Sequence, residues 1–430
     1  MAHKQDPVRR ESALRHELSA RDGRQDGVPA PVTCPVVPTP ALRLAVDAVD
    51  ALEDDLVELR RDLHAHPELA WQEQRTTATV AERLEQAGLG VTLLPKSGLV
   101  AEVGPDTGEM VALRADLDAL PVDDRGGESW ASTVDGVAHA CGHDVHTSAL
   151  VGAGIALARA HDQHALPGRV RLLFQPAEEV MPGGALEVMA TGALDGVGHV
   201  FGLHCDPSID VGEIGLRVGP LTGAADALTV RLSGQGGHTS RPHLTQDLTY
   251  ALGKLVTELP GALSRRLDPR AGASLVWGVV RAGSAVNVIP AAGEAAGTLR
   301  MLDAVAWADA EDLVRELIDQ ILAPFGVGAE VTYLRGVPPV VNEAASTSLL
   351  AGAVRSVLGQ QAAVSTPQSL GGEDFAWYLE STPGAMARLG TRTPGGRTYD
   401  LHQGDLHIDE RAVAIGAKVL AATVLTTLSA

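Results

Sequence analysis

The chain has 430 residues, 45% hydrophobic and 20% charged, a balance that suits a soluble globular protein of more than one domain. Its formal net charge of −20 argues against nucleic acid and anionic membrane surfaces as partners. Three cysteines, Cys34, Cys141 and Cys205, are too few for a disulfide framework, and no apolar run is long enough to span a bilayer; a reduced, cytoplasmic setting is expected.

Residues 1–40 are rich in Arg, Asp, Gln and Pro and lack an apolar signal core, so they are expected to be a disordered extension. Cys34 lies there and is given no catalytic role. Apolar residues at helical spacing, from Leu42 through Val49 and Leu56 to Leu63, predict a helix over 41–63 that ends before Pro67. A second helix is expected over 74–87, stopped by Gly88. Three short apolar strands follow. Residues 110–115 lead into Asp116 and Asp118, 170–174 lead into Gln175-Pro176-Ala177-Glu178-Glu179, and 199–203 lead into His204. The helical segments between them, including a buried one over 149–158, imply a parallel sheet with crossover helices. Ligands bind beyond the carboxyl ends of such strands, where all three runs place acids or a histidine.

Composition shifts near Gly219-Pro220. Strand 227–233, helix 246–267, strands 274–282 and 294–302, helix 306–325 and strand 330–334 then follow in the order β-α-β-β-α-β, the ferredoxin-like arrangement. The fold expected is therefore α/β: a mostly parallel sheet flanked by helices, with a ferredoxin-like α+β domain inserted. Its boundaries are 41–220 plus 337–430 for the first domain and 221–336 for the insert. The first domain resumes with helix 346–358, the loop Gly371-Gly372-Glu373-Asp374, strand 385–389 and a last helix from Asp409.

The run Cys141-Gly142-His143-Asp144-Val145-His146 packs a thiol, two imidazoles and a carboxylate into one loop-to-helix junction. Thiolate and imidazole suit zinc and similar divalent ions. Cys141, His143, Glu178 or Glu179, His204 and His402 come from four separate segments and exceed what one catalytic metal needs. Two ions sharing a bridging ligand would use them all. A single histidine is more often a core or surface residue, so the argument rests on the set. Adjacent residues on a strand or turn point apart, so one of Glu178 and Glu179 can hold metal while the other faces the reaction. The bland alternative is an acid-decorated helix start. Asp116 or Asp118 can orient a ligand histidine, or can merely end a strand. In the insert, His238 follows two glycines, and Asn287 and Arg300 are polar; Arg300 suits a substrate carboxylate.

These residues resemble a known family, the dinuclear metal-dependent aminoacylase and carboxypeptidase-like amidohydrolases, in the branch of hippurate hydrolase and the indoleacetyl-amino-acid hydrolases. The motifs that carry the resemblance are, in order, LHAHPELAWQE, LRADLDALPV, HACGHDVHTSALVGA, LFQPAEE, FGLH, GGHTSRPH, NVIP, GTLR, GGEDFA and LHQGDLHIDE. It implies that Cys141, His143, Glu179, His204 and His402 are the metal ligands, with the Cys141 thiolate bridging two divalent ions. Zinc or manganese come first, with cobalt or nickel as alternatives. It implies Glu178 as general base and later proton donor, and His238 as an oxyanion donor from the lid, in the partner subunit's site. Asn287 and Arg300 would bind substrate. The insert would be a lid that also forms a homodimer. The substrate implied is a small N-acyl amino acid of acetyl, benzoyl or indoleacetyl type, or a peptide-like amide. A dipeptidase or carboxypeptidase of the same family, a non-catalytic metal-binding homologue, and a cysteine hydrolase using Cys141 and His143 are the alternatives. The chain departs from the family pattern at Gln403-Gly404-Asp405-Leu406 after His402, at Gly372 before Glu373, and at Thr239-Ser240-Arg241 after His238.

Overall fold

A computed structural model describes residues 39–430. The expected N-terminal extension over 1–40, and Cys34 with it, fall almost wholly outside the described residues.

The chain begins with two helices where periodicity predicts one, Pro40–Asp50 and Glu53–Ala65. Their apolar stripes continue in register across Ala51 and Leu52, which is why spacing alone does not reveal the break. Glu53, Asp54 and Asp55 mark it, because three acids in a first turn complement the exposed N–H groups of a new helix. Thr39 caps the first helix, its Oγ1 accepting from Leu42 N at 3.1 Å, and Pro40 follows at the first helical position. A third helix spans Gln74–Gln86.

The first strands in chain order are β1 (Gly90–Leu93), β2 (Leu99–Val103), β3 (Met110–Asp116), β4 (Arg169–Gln175), β5 (Val197–Asp210) and β6 (Ile214–Leu216). After them come β7 (Gly219–Pro220), β8 (Ala224–Ser233), β9 (Gly237–His238), β10 (Ser274–Ala282), β11 (Val288–Ile289), β12 (Ala292–Met301), β13 (Gly328–Val337), β14 (Val341–Asn342), β15 (Ala363–Ser365) and β16 (Gly384–Arg392). The main sheet runs β1-β2-β4-β3-β5-β16-β6-β15. Its centre is parallel, β3 pairing with β4 and β5, and β5 with β16. The short edge pair β1 and β2 runs antiparallel and escapes the apolar-run reading. Every residue of β3 is buried, as expected of a central strand covered on both faces. One face carries helices including His143–Asp162, Ala344–Leu358 and Arg411–Thr427 over the large apolar core. The other carries a smaller cluster around Phe174's neighbour Leu173, Phe375 and Tyr378.

A second sheet, β10-β12-β8-β13, is antiparallel throughout. Helices Leu248–Arg266 and Ala310–Leu322 cover it and complete a core of their own. The order β-α-β-β-α-β is therefore ferredoxin-like. The helix expected over 306–325 starts as Ala304–Ala308, breaks at Asp309 and ends in a 3-10 turn at Ala323–Phe325, where Pro324 cannot continue it. Among the described residues no helix is long and apolar enough to cross a membrane.

β4 lies on one side of β3 and β5 on the other, so the chain reverses direction across the sheet at β3. The loops leaving β3 and β4 open a crevice at that reversal, and the site sits there.

Candidate metal centre

Cys141, His143, Glu179, His204 and His402 converge. The donor atoms of Cys141, His143 and His204 lie within 4.8 Å of one another, and so do those of Cys141, Glu179 and His402. Cys141 belongs to both groups. Its Sγ is 3.5 Å from His204 Nε2, and Glu179 Oε1 is 3.3 Å from His402 Nε2 and 3.8 Å from His143 Nε2. Cys141, Glu179, His204 and His402 border a cavity of about 700 Å³ that Glu178, Arg300, Glu373, Asp374 and Arg388 also line, and His143 lies buried behind Cys141 and Glu179.

Local backbone explains how each donor is presented. Gly142 has φ +88°, and a Cβ there would meet Cys205 Sγ at 2.8 Å, so only glycine lets Cys141 and His143 flank so tight a corner. His143 then opens the helix that Ala149–Ala158 belongs to, nearly two turns before the apolar run begins. Ala177, φ +57°, and His402, φ +61°, are left-handed without being glycine. That strain, about 1–3 kcal/mol each, is held by specific bonds. Ala177 N donates to Glu73 Oε1 at 2.8 Å, and His402 N donates to Ala140 O at 2.7 Å, beside Cys141. His204 does not follow its strand but lies inside it, because β5 continues to Asp210 through pairing with β16.

Asp118 accepts from Glu178 N at 3.0 Å with one oxygen and from Glu179 N at 2.9 Å with the other, which fixes the turn that carries both acids. It also stands 3.5 Å from His143 Nδ1. Asp116 takes His146 Nδ1 at 2.6 Å and Arg114 Nη1 at 2.6 Å. His146 Nε2 accepts the Cys205 N–H at 2.8 Å, so its proton sits on Nδ1 and both nitrogens are committed within the protein.

The electrostatics favour cations. His143 Nδ1, His143 Nε2 and Glu179 Oε1 are sealed from solvent without a hydrogen-bond partner. Burial, then the carboxylates of Glu373, Glu179 and Asp374, push Glu178 well above the usual carboxylate range. Burial and the carboxylates of Glu179 and Glu178 push the Cys141 thiol up likewise. Burial alone would lower His143, but Asp116, Asp118 and Glu179 outweigh it and hold it at about 10. Burial keeps His204 well below the ordinary imidazole range, with Arg388 adding to the effect. Buried orphan donors among crowded anions, supplied by one thiolate, imidazoles and a carboxylate, fit two divalent ions sharing a ligand.

Arg300 reaches the cavity wall from β12, its Nη1 donating to Leu370 O. His238 and Asn287 do not border the cavity. Both sit on the exposed β9–β11 ribbon, where His238 pairs with Val288, Thr239 N donates to Asn287 O at 3.2 Å, and His238 Nδ1 accepts from Ser240 N at 3.1 Å. Within one chain the structure does not bring them to Glu178.

A set behind the site goes unassigned by residue spacing. Arg60 Nε lies 2.7 Å from Asp144 Oδ2, His64 Nδ1 lies 2.9 Å from the same oxygen, and His64 Nε2 lies 3.3 Å from Asp124 Oδ2. The signal was only the LHAHP string, which names no chemistry. Burial pulls the His64 pKa down, but the bonds to Asp124 and Asp144 prevail and hold it at about 9, above an ordinary 6.5. A raised imidazole stabilises the fold fully below pH 6.5 and loses that contribution as pH rises through 9. The loss is on the order of 3 kcal/mol. Denaturant unfolding at pH 6 and pH 9.5 checks it: wild type should lose that much more than His64→Gln, and parallel curves would refute the assignment.

The model of "Peptidase family M20/M25/M40" matches residues 112–426. A Rhodococcus jostii protein that carries the name of a glutamate–cysteine ligase is 52% identical over 371 residues, 86% of this chain. The chain spans about half of that relative's length, 46%. The N-acetyl-L-cysteine deacetylase of Bacillus subtilis is 39% identical over 85% of this chain and 86% of its own. Among solved structures, a dinuclear metal-binding peptidase of the M20 family from Bacillus subtilis superposes with a TM-score of 0.76 at 33% identity, covering 88% of this chain and 99% of that one.

Proposed function

The chain belongs to peptidase family M20/M25/M40 and is a hydrolase of amide bonds, and from that premise we propose that it frees amino acids from small N-acyl amino acids. The observation that carries the reading is the overlap of two donor groups at Cys141 beside Glu178. In this reading Cys141, His143, Glu179, His204 and His402 would hold two divalent ions, zinc or manganese. Bound there, the ions would supply Lewis-acid polarisation and lower the pKa of the attacking water. Glu178 takes the proton of that water as its oxygen attacks the amide carbonyl, then delivers it to the leaving nitrogen as the C–N bond breaks. Its raised pKa supports this double duty, because a carboxyl poised nearer neutrality can both accept and return a proton. Asp118 and Asp116 act as positioning residues for Glu178, Glu179 and the ligand histidines.

Residues 221–336 would form a lid inserted between 41–220 and 337–430. Arg300 would hold the substrate carboxylate from that lid. Val276 and Val280 on edge strand β10, and Val286 and Val288 beside His238, are exposed, an apolar edge that supports a homodimer through the lid. His238 and Asn287 would then serve the partner's cavity, His238 stabilising the oxyanion. Cys141 and Cys205 are free thiols, which supports a reducing, cytoplasmic location.

A cysteine nucleophile is the weaker reading, because burial and neighbouring carboxylates raise the Cys141 thiol rather than lower it. Purified protein should carry about two metals per chain. Chelation should abolish release of free amino acid from N-acetyl, N-benzoyl and indoleacetyl substrates, and zinc or manganese should restore it. Activity that resists chelation and dies on alkylation would transfer the role to Cys141.

A further inference from the structure

Arg388 lies on β16, opposite His204 of β5 and Gly215 of β6. It is 9% exposed, yet it lines the cavity that holds Cys141, Glu178, His204 and His402. Gly215 makes the space: a Cβ there would stand 3.1 Å from Arg388 Cβ and 2.8 Å from Thr366 Cβ.

A guanidinium taken out of water normally faces a carboxylate, since an unpaired buried charge is strongly unfavourable. Among the described residues the other two buried arginines obey that rule. Arg60 meets Asp144 and Glu410, and Arg114 meets Asp116, Glu373 and Asp374. Arg388 meets a neutral group, Ser369 Oγ, 3.2 Å from its Nη2. No carboxylate oxygen of the described residues lies within 4.0 Å of it. Asp206, which also lines the cavity, has Oδ1 committed to Ser208 N and Ser208 Oγ. None of the Arg388 nitrogens is among the sealed, partnerless atoms, so the uncommitted edge of its fork opens to the cavity. Arg300 anchors at Leu370 O, the residue after Ser369. The two arginines thus hold one loop from two different sheets and present two cationic forks to one cavity.

We propose that Arg388 is a substrate-binding residue that takes a second carboxylate, so that the preferred substrates are dianionic N-acyl amino acids. This rests on the amidohydrolase reading above. Arg300 takes the α-carboxylate and Arg388 the other, which belongs either to an acidic amino-acid side chain or to a dicarboxylic acyl group. A planar fork pairs bidentately with either.

The test compares kcat and KM of metal-loaded enzyme on N-acetyl-L-methionine, N-acetyl-L-glutamate and N-succinyl-L-methionine, for wild type, Arg388→Met, Arg388→Gln and Arg388→Lys. Wild type should favour one of the dianionic substrates by at least about tenfold in kcat/KM, and which one responds identifies the side of the amide that carries the second charge. Arg388→Met and Arg388→Gln should each cut the ratio of dianionic to monoanionic kcat/KM by about 100-fold, through KM. Arg388→Lys should recover part of it. Two neutral variants of different shape keep a packing loss in one from silencing the test, and the wild-type comparison needs no variant. Wild-type indifference to the second charge overturns the proposal, as does an equal loss on all three substrates. Hydrolysis of N-acetyl-L-methionine reports separately: if it proceeds while the ratio is flat, the inference about Arg388 fails alone, and if no substrate is cleaved, the amidohydrolase reading itself fails.

Discussion

Glu178→Gln is expected to lower kcat by about 10²- to 10⁴-fold, the range for removing a general acid–base group, with metal content and unfolding midpoint close to wild type. Glutamine keeps the shape and the backbone bond from Glu178 N to Asp118 Oδ1, so the turn should persist. What it loses is an oxygen able to accept a proton. The carboxyl is special because it is buried and because Glu373, Glu179 and Asp374 crowd it, which together raise its pKa. Removing one charge from that crowd should cost the fold little. Steady-state kinetics with metal analysis on the same sample decides the matter. Turnover within tenfold of wild type at full metal occupancy would remove Glu178 from the proton-transfer role.

Arg114→Met should destabilise the protein by about 3–5 kcal/mol, the cost of leaving buried charges without their partner. Arg114 is 1% exposed. Its Nη1 is 2.6 Å from Asp116 Oδ2, its Nη2 is 2.7 Å from Asp374 Oδ1 and 3.0 Å from Glu373 Oε1, and its Nε donates to Gln175 Oε1 at 3.0 Å. One side chain therefore ties the ends of β3 and β4 to the 373–374 loop, and methionine fills the volume without the charge. Burial already holds Asp374 at about 7, with Arg114 opposing that rise. The deficit should accordingly shrink as pH falls below 7, because a protonated Asp374 needs no counter-charge. Denaturant unfolding of both proteins at pH 8 and pH 5.5 measures this, and a loss under about 1 kcal/mol at pH 8 would show that the network contributes little.

Both residues differ in how far the chain announces them. Glu178 sits in an apolar-strand-then-acids pattern, so spacing singles out the Glu178–Glu179 pair, and the family resemblance picks Glu178 as the base. Arg114 sits inside the apolar run 110–115, where a strand reading treats it as an interruption. Its partners are remote in sequence, Gln175 by 61 residues and Asp374 by 260. Spacing cannot express that contact, since only the stacking of β3 against β4 and the return of the chain after the second sheet create it. The same holds for Arg60, His64 and Arg388. His238 and Asn287 show the opposite limit. Their motifs are plain, yet their places in this chain lie on an exposed ribbon away from the cavity.

The amino-acid sequence by itself points to the α/β class, to the β-α-β-β-α-β order of the insert expected over 221–336, and to a set of candidate donors for divalent ions in which Glu178 and Glu179 stand as alternatives. These follow from local physics: apolar period, glycine and proline stops, and the affinity of thiolate and imidazole for divalent ions. Tertiary structure alone decided that Cys141 belongs to both donor groups, that Asp118 holds both acids of the Glu178–Glu179 turn, and that His146 is spent on Asp116 and Cys205. It also decided which charges stay buried without a partner. Distances between residues far apart in the chain set those outcomes, and burial multiplies the strength of every charge involved.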